Sequence, residues 1–135
     1  MARTLSQCLI VDTDILIDLA RREPQALDYL NEQHKDYSLA ISVVTEMELI
    51  VGCRNKKELG NLDALLKHFQ TIQIDADVSK TATILMREYR LSHGLLIPDA
   101  LIAATALVCE TAMATKNQRD YRYIKGLLLR PYPQY

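Results

Sequence analysis

A chain of 135 residues with 49% apolar and 24% charged side chains, sparse in glycine and proline, has the balance of one globular domain (1–135) with little room for a second core. A formal net charge of −1 and a pI near 6.3 exclude a bulk polycation, so contact with nucleic acid has to rest on local basic clusters: "RNKK" (54–57), Arg87 with Arg90, or Lys116, Arg119, Arg122 and Lys125. No apolar run approaches the roughly 18 to 20 residues of a membrane span, and "MARTLSQ" lacks the apolar stretch of a leader. Cys8, Cys53 and Cys109 lie in apolar segments with no C-x-x-C pair, so a cytoplasmic protein with reduced core cysteines and no membrane contact is expected.

The first strand is expected at "CLIV" (8–11), whose unbroken apolar run suits a strand buried on both faces. Helices are expected over 13–22 and 24–34, with Pro24 near the first helical position of the second, followed by loop-like "NEQHKDYS" and a strand at "SLAIS" (38–42). Helical stretches 43–53 and 55–69 precede a third strand, "TIQI" (71–74). A helix over 76–93 should stop at Gly94 in a left-handed cap, and Pro98 should open the next, 98–110. Strands "AMAT" (112–115) and "LLLR" (127–130) complete the series, and "RPYPQY" reads as an extended surface strip. The alternation predicts an α/β fold with a mostly parallel sheet and helices on both faces, without internal repeat or linker.

Asp12 follows the first strand directly, where active crevices of parallel sheets lie. A carboxylate there is costly to desolvate unless a metal ion or a basic group meets it, although it can also serve as a plain helix cap. The same topology delivers Glu46 and Glu48 on the helix after the second strand, Asp99 at the start of the 98–110 helix, and Asp120 after the fourth strand. Acids converging on one crevice would raise one another's pKa values and make sense around a divalent cation. Oxygen ligands without histidine or thiolate point to Mg²⁺ or Mn²⁺ and to phosphoryl chemistry. Helical periodicity does not choose between Glu46 and Glu48: Val43, Val44, Met47, Ile50 and Val51 form an apolar stripe, and the two glutamates flank its opposite edges.

The stretches "LIVDTDILIDL", "ISVVTEMELIVG", "GLLIPDALIAATAL" and "ATKNQRDY", in this order across residues 9–123, resemble the PIN-domain ribonucleases, and among them the VapC-type toxins of toxin-antitoxin pairs. The resemblance implies a three-layer α/β/α fold with a five-stranded sheet. It makes Asp12, Glu48, Asp99 and Asp120 the four catalytic acids and so prefers Glu48 over Glu46. It further implies metal-dependent endonucleolytic cleavage of RNA: Asp12 and Asp99 hold Mg²⁺ or Mn²⁺, Asp120 completes or bridges the site, and Glu48 orients the attacking water or holds a second ion. Thr115 and Asn117 match polar positions that orient water, ligand or substrate, and Asp14 stands where relatives often carry Asn or Ser, as a ligand or a supporting residue. A homodimer and a cognate antitoxin are implied as partners, with operator DNA reached only through the antitoxin. "DILIDLARR" and "ALDYL" offer leucines for an apolar groove between the first two helices.

His34, His68 and His93 are scattered, no Ser/His/Asp or Cys/His set appears, and the seven tyrosines, Tyr121 and Tyr123 included, are expected mainly to pack. Three rivals remain. "VDTDIL" is similar to the D-x-D motif of aspartate-nucleophile phosphatases, but Leu16 stands where that pattern has Thr or Val. A receiver domain could use Asp75 but leaves Asp99 and Asp120 unexplained. The third is a PIN-like module that binds a partner or nucleic acid without cleaving it.

Overall fold

The computed structural model describes residues 7–133; the expectations placed on residues 1–6 and on Gln134 and Tyr135 lie outside it. Five strands form one sheet in which every pairing is parallel: β1 (Cys8–Val11), β2 (Ser38–Ser42), β3 (Gln70–Ile72), β4 (Ala112–Thr115) and β5 (Leu129–Pro131), in the order β3-β2-β1-β4-β5. β1 is central, with Leu9 opposite Leu39 on one side and Ile10 opposite Met113 on the other. Strand order reverses between β1 and β4, which makes their carboxyl ends the switch point of the sheet.

Because strand side chains alternate, β1 feeds two cores. Leu9 and Val11 pack with residues of α1 (Thr13–Ala20), α2 (Pro24–His34) and α4 (Lys56–Leu66); Ile10 packs with α5 (Ala76–His93) and α6 (Ile97–Val108). This is the expected three-layer arrangement. All four β1 residues are fully buried, and each large apolar side chain so placed contributes about 1.5–3 kcal/mol of burial. Cys8 and Cys109 are buried, Cys53 is half-buried, and all three are free thiols.

α2 and β2 keep their expected bounds, as do β4 and α5, which Asp75 caps by accepting the Val78 N–H and Gly94 closes at φ 71°. With Asp75 spent as a cap, the receiver reading loses its acceptor. α1 stops two residues early because Arg22 turns into the left-handed region at φ 60°. α4 starts at Lys56 because Asn55 caps Glu58, and ends at Leu66. α6 begins one residue early, leaving Pro98 in the first turn where its missing N–H costs nothing. The strands expected at 71–74 and 127–130 form instead at β3 and β5, and a four-residue helix, α7 (Gln118–Tyr121), follows β4 unforeseen.

α3 (Val43–Val51) corrects the expected apolar stripe. It buries Val44, Thr45 and Leu49, while Met47, Ile50 and Val51 are 56%, 41% and 85% exposed. The helix is turned so that Thr45 reaches the start of α1, and this rotation carries the outer apolar residues away from the core. Among the described residues no helix is long and apolar enough to cross a membrane.

Candidate active site

Asp12 is both the cap of α1 and the deepest acid. It is 5% exposed; Oδ1 accepts the Thr13 N–H at 2.8 Å and Oδ2 accepts the Thr115 hydroxyl at 2.8 Å. Thr115 ends β4, and its own oxygen accepts the backbone N–H of Asn117 at 3.0 Å. The polar pair expected at Thr115 and Asn117 therefore acts on Asp12, the first by its side chain and the second by its backbone.

Asp99, in the first turn of α6, is joined to Asp12 by a residue that sequence reading assigned to packing. The Tyr121 hydroxyl donates to Asp99 Oδ1 at 3.1 Å, with Asp12 Oδ1 as a second acceptor at 3.4 Å, and the ring is 1% exposed. Its position one residue after Asp120 was the available signal, but the short α7 that turns it inward was not anticipated.

Glu48 Oε1 accepts the Thr13 hydroxyl at 2.7 Å, and Thr13 stands 2.9 Å from the buried Thr45 hydroxyl. With Thr13 donating to Glu48, Thr45 donates to Thr13. The chain from α3 to α1 thus holds Glu48 at the start of α1, and neither threonine stood out in the sequence. Glu48 and Asp120 are exposed at the mouth, whereas Asp99 is half-buried. Asp14 turns inward as well: both carboxylate oxygens are buried without a hydrogen-bond partner of ordinary geometry, and the backbone N–H groups of Lys116 and Ile15 are the donors that favour its ionised form.

Burial is the main cause of the electrostatics, ahead of the mutual repulsion anticipated from sequence. It pushes the Asp12 carboxyl up to about 7; Asp14 and then Asp99 add to this, while the Thr115 and Thr13 bonds oppose it. Asp99 is raised by burial, then by Asp120 and Glu48, against the Tyr121 bond. Asp14 is raised by burial and by Asp18, against the backbone N–H groups and Lys116. Burial beside these acids also holds the Tyr121 hydroxyl protonated far above its ordinary range, so it remains a donor.

No Lys or Arg bonds to Asp12, Glu48, Asp99 or Asp120 among the described residues, and Lys116 spends its ammonium on Asp18 at 3.1 Å. Carboxylate oxygen donors and the raised carboxyls of Asp12 and Asp99 fit a hard divalent ion in kind. Among the described residues no three acidic, histidine or cysteine groups are gathered as a ligand set.

The family model for the PIN domain matches residues 9–126. The chain belongs to the PIN-domain family. Ribonuclease VapC10 of Mycobacterium tuberculosis is 40% identical over 110 residues, spanning 81% of this chain and 82% of that one. A toxin-antitoxin complex from Klebsiella pneumoniae contains a chain 32% identical, with a TM-score of 0.76 over 92% of this PIN domain and 98% of its own length. The VapBC2 complex of Rickettsia felis bound to promoter DNA has a chain with a TM-score of 0.82 at 23% identity, covering 93% and 98%, which bears on the fold alone.

The PIN domain also carries an apolar cleft of 310 Å³ apart from the acids, where Leu19 of α1, Leu27 and Leu30 of α2, and Leu65 of α4 meet Phe69. The groove foreseen between the first two helices is thus present, with α4 as an additional wall.

Proposed function

We propose that this PIN domain is a metal-dependent endoribonuclease and the toxin of a toxin-antitoxin pair. The observation that carries the reading is Asp12: a carboxyl buried at the switch point of the sheet, tied to Asp99 through Tyr121, in a chain 40% identical to a ribonuclease VapC. Asp12, Asp99 and Asp120 would hold Mg²⁺ or Mn²⁺, with Asp14 supporting Asp12 from behind. Bound there, the ion supplies charge neutralisation at the phosphate and a lowered pKa for water.

The chain's own residues do the rest. Thr115 and the Thr13 N–H fix the Asp12 carboxylate, and Tyr121 spans it to Asp99, so the two acids are presented together. Glu48, held by Thr13, accepts a hydrogen bond from the attacking water and aims it at the phosphorus. Cleavage by water leaves a 5′-phosphate and a 3′-hydroxyl. The partner would be a cognate antitoxin that lays an apolar segment into the Leu19–Leu27–Leu65 cleft and alone contacts operator DNA; a homodimer and a cytoplasmic location belong to the same reading.

The test is incubation of the purified, partner-free protein with total RNA in Mg²⁺ or Mn²⁺, beside EDTA and Asp99→Ala. Discrete 5′-phosphorylated fragments that vanish in both controls support the reading. A 2′,3′-cyclic phosphate product sinks it, because that product uses the ribose hydroxyl as nucleophile. Intact RNA with metal bound by calorimetry moves the assignment to a binding module.

A further inference from the structure

At the rim of the acidic crevice three rings meet that the proposed chemistry does not use. His93, the last residue of α5, stacks on Tyr123 with centroids 4.0 Å apart and planes 10° from parallel. Tyr89 packs edge-on against both, 6.0 Å from His93 and 5.1 Å from Tyr123, and its hydroxyl accepts the Lys125 N–H at 3.2 Å. The imidazole is also held by Ser92, whose hydroxyl lies 2.8 Å from His93 Nδ1. Tyr123 is half-buried and His93 is exposed, so the open end of the stack is the imidazole.

The location makes this more than a latch between α5 and the segment after α7. Tyr123 comes three residues after Asp120 and two after Tyr121, which bonds Asp99; His93 comes six residues before Asp99, across the Gly94 turn. Burial raises the Tyr123 phenol, and the charges of Asp99 and Asp120 add to the rise. Arg122 and Lys125, both exposed, flank Tyr123 and offer charge to a phosphodiester backbone.

We infer that the His93–Tyr123 stack is a base-binding platform, on which an unpaired nucleobase beside the scissile phosphate lies flat against the exposed face of His93. The class of ligand is single-stranded RNA, because a base inside a duplex offers no free face. Rings already held by Ser92 and Tyr89 lose little freedom when a base is added. The inference rests on the ribonuclease reading only for its substrate.

The test is binding of short single-stranded RNAs carrying 2-aminopurine at successive positions, in EDTA so that nothing is cut. Wild type should quench the probe most strongly at one position. His93→Ala should lose that quenching and weaken binding roughly 5- to 150-fold, the worth of one stacked base; His93→Phe should retain both. An abasic nucleotide at that position should make wild type and His93→Ala bind equally. A His93→Ala protein that binds like wild type, one that loses the same factor on the abasic RNA, or a wild type that binds no single-stranded RNA overturns the platform. Because His93→Phe tests the ring without emptying its place, loss of binding in that variant alongside an unchanged thermal midpoint also counts against it. Position-specific quenching without cleavage in Mg²⁺ keeps the platform and discards the ribonuclease; cleavage with identical rates in wild type and His93→Ala does the reverse.

Discussion

The inner and outer halves of the acidic crevice are built on opposite principles. Asp12 and Asp14 point into protein, their oxygens shielded from water, while Glu48 and Asp120 stand at the exposed mouth. Folding carries the inner acids at a cost that burial imposes on their ionised forms, and it meets that cost only partly, with the Thr115 and Tyr121 hydroxyls and a few N–H groups. The outer acids, open to water, carry no such cost. An arrangement that costs stability in its inner half and little in its outer half marks a functional site more than a structural one.

The largest effect that separates the halves is in activity and stability together. Asp12→Asn should abolish RNA cleavage while raising the metal-free protein's stability at pH 8 by about 2–4 kcal/mol, because a buried charge is removed and the cap is kept. Urea unfolding in EDTA checks the second half; a destabilised variant would mean that the carboxylate is a structural anchor instead.

Next comes the pH dependence. Folded, Asp12 keeps its proton to about pH 7, whereas its ordinary value is 3.8, so between these limits the native state binds more protons than the unfolded one. Stability of the metal-free wild type should therefore be full at acid pH, fall by at most about 4 kcal/mol as pH rises toward 7, and stay low above it. Asp12→Asn should flatten that slope. Since ionisation precedes ligation, Mg²⁺ affinity by calorimetry should drop as pH is lowered through 7.

Tyr121→Phe removes the one hydroxyl that spans Asp12 and Asp99 without emptying the core. It should weaken divalent-ion binding by about 10- to 100-fold, as loss of an orienting partner does, with little change in the ring's packing. The smallest stability effect belongs to the mouth: Glu48→Gln and Asp120→Asn should shift stability by no more than about 0.5 kcal/mol while lowering cleavage. A large stability change in either variant would erase the distinction between the two halves.

Local chemistry was enough to read much of this molecule. The unbroken "CLIV" run announces a central buried strand, Gly94 and Pro98 punctuate two helices where the chain turns, and Asp12 follows the carboxyl end of that strand directly. The strand, the cap and the helix start are legible because each depends on a few neighbouring residues.

What local chemistry could not supply was the rotation of each element about its own axis. In α3 the sequence offers Met47, Ile50 and Val51 as a core stripe, yet contact with α1 turns Thr45 and Leu49 inward and aims Glu48 at Thr13. Tyr121 becomes the bridge between two acids only because a four-residue helix, too short to leave a periodic signal, swings it beneath them. The sequence by itself determined the five strands, the six longer helices and their order. Only the tertiary structure decided which face of each helix looks at the crevice, because that choice is made by packing between segments far apart in the chain.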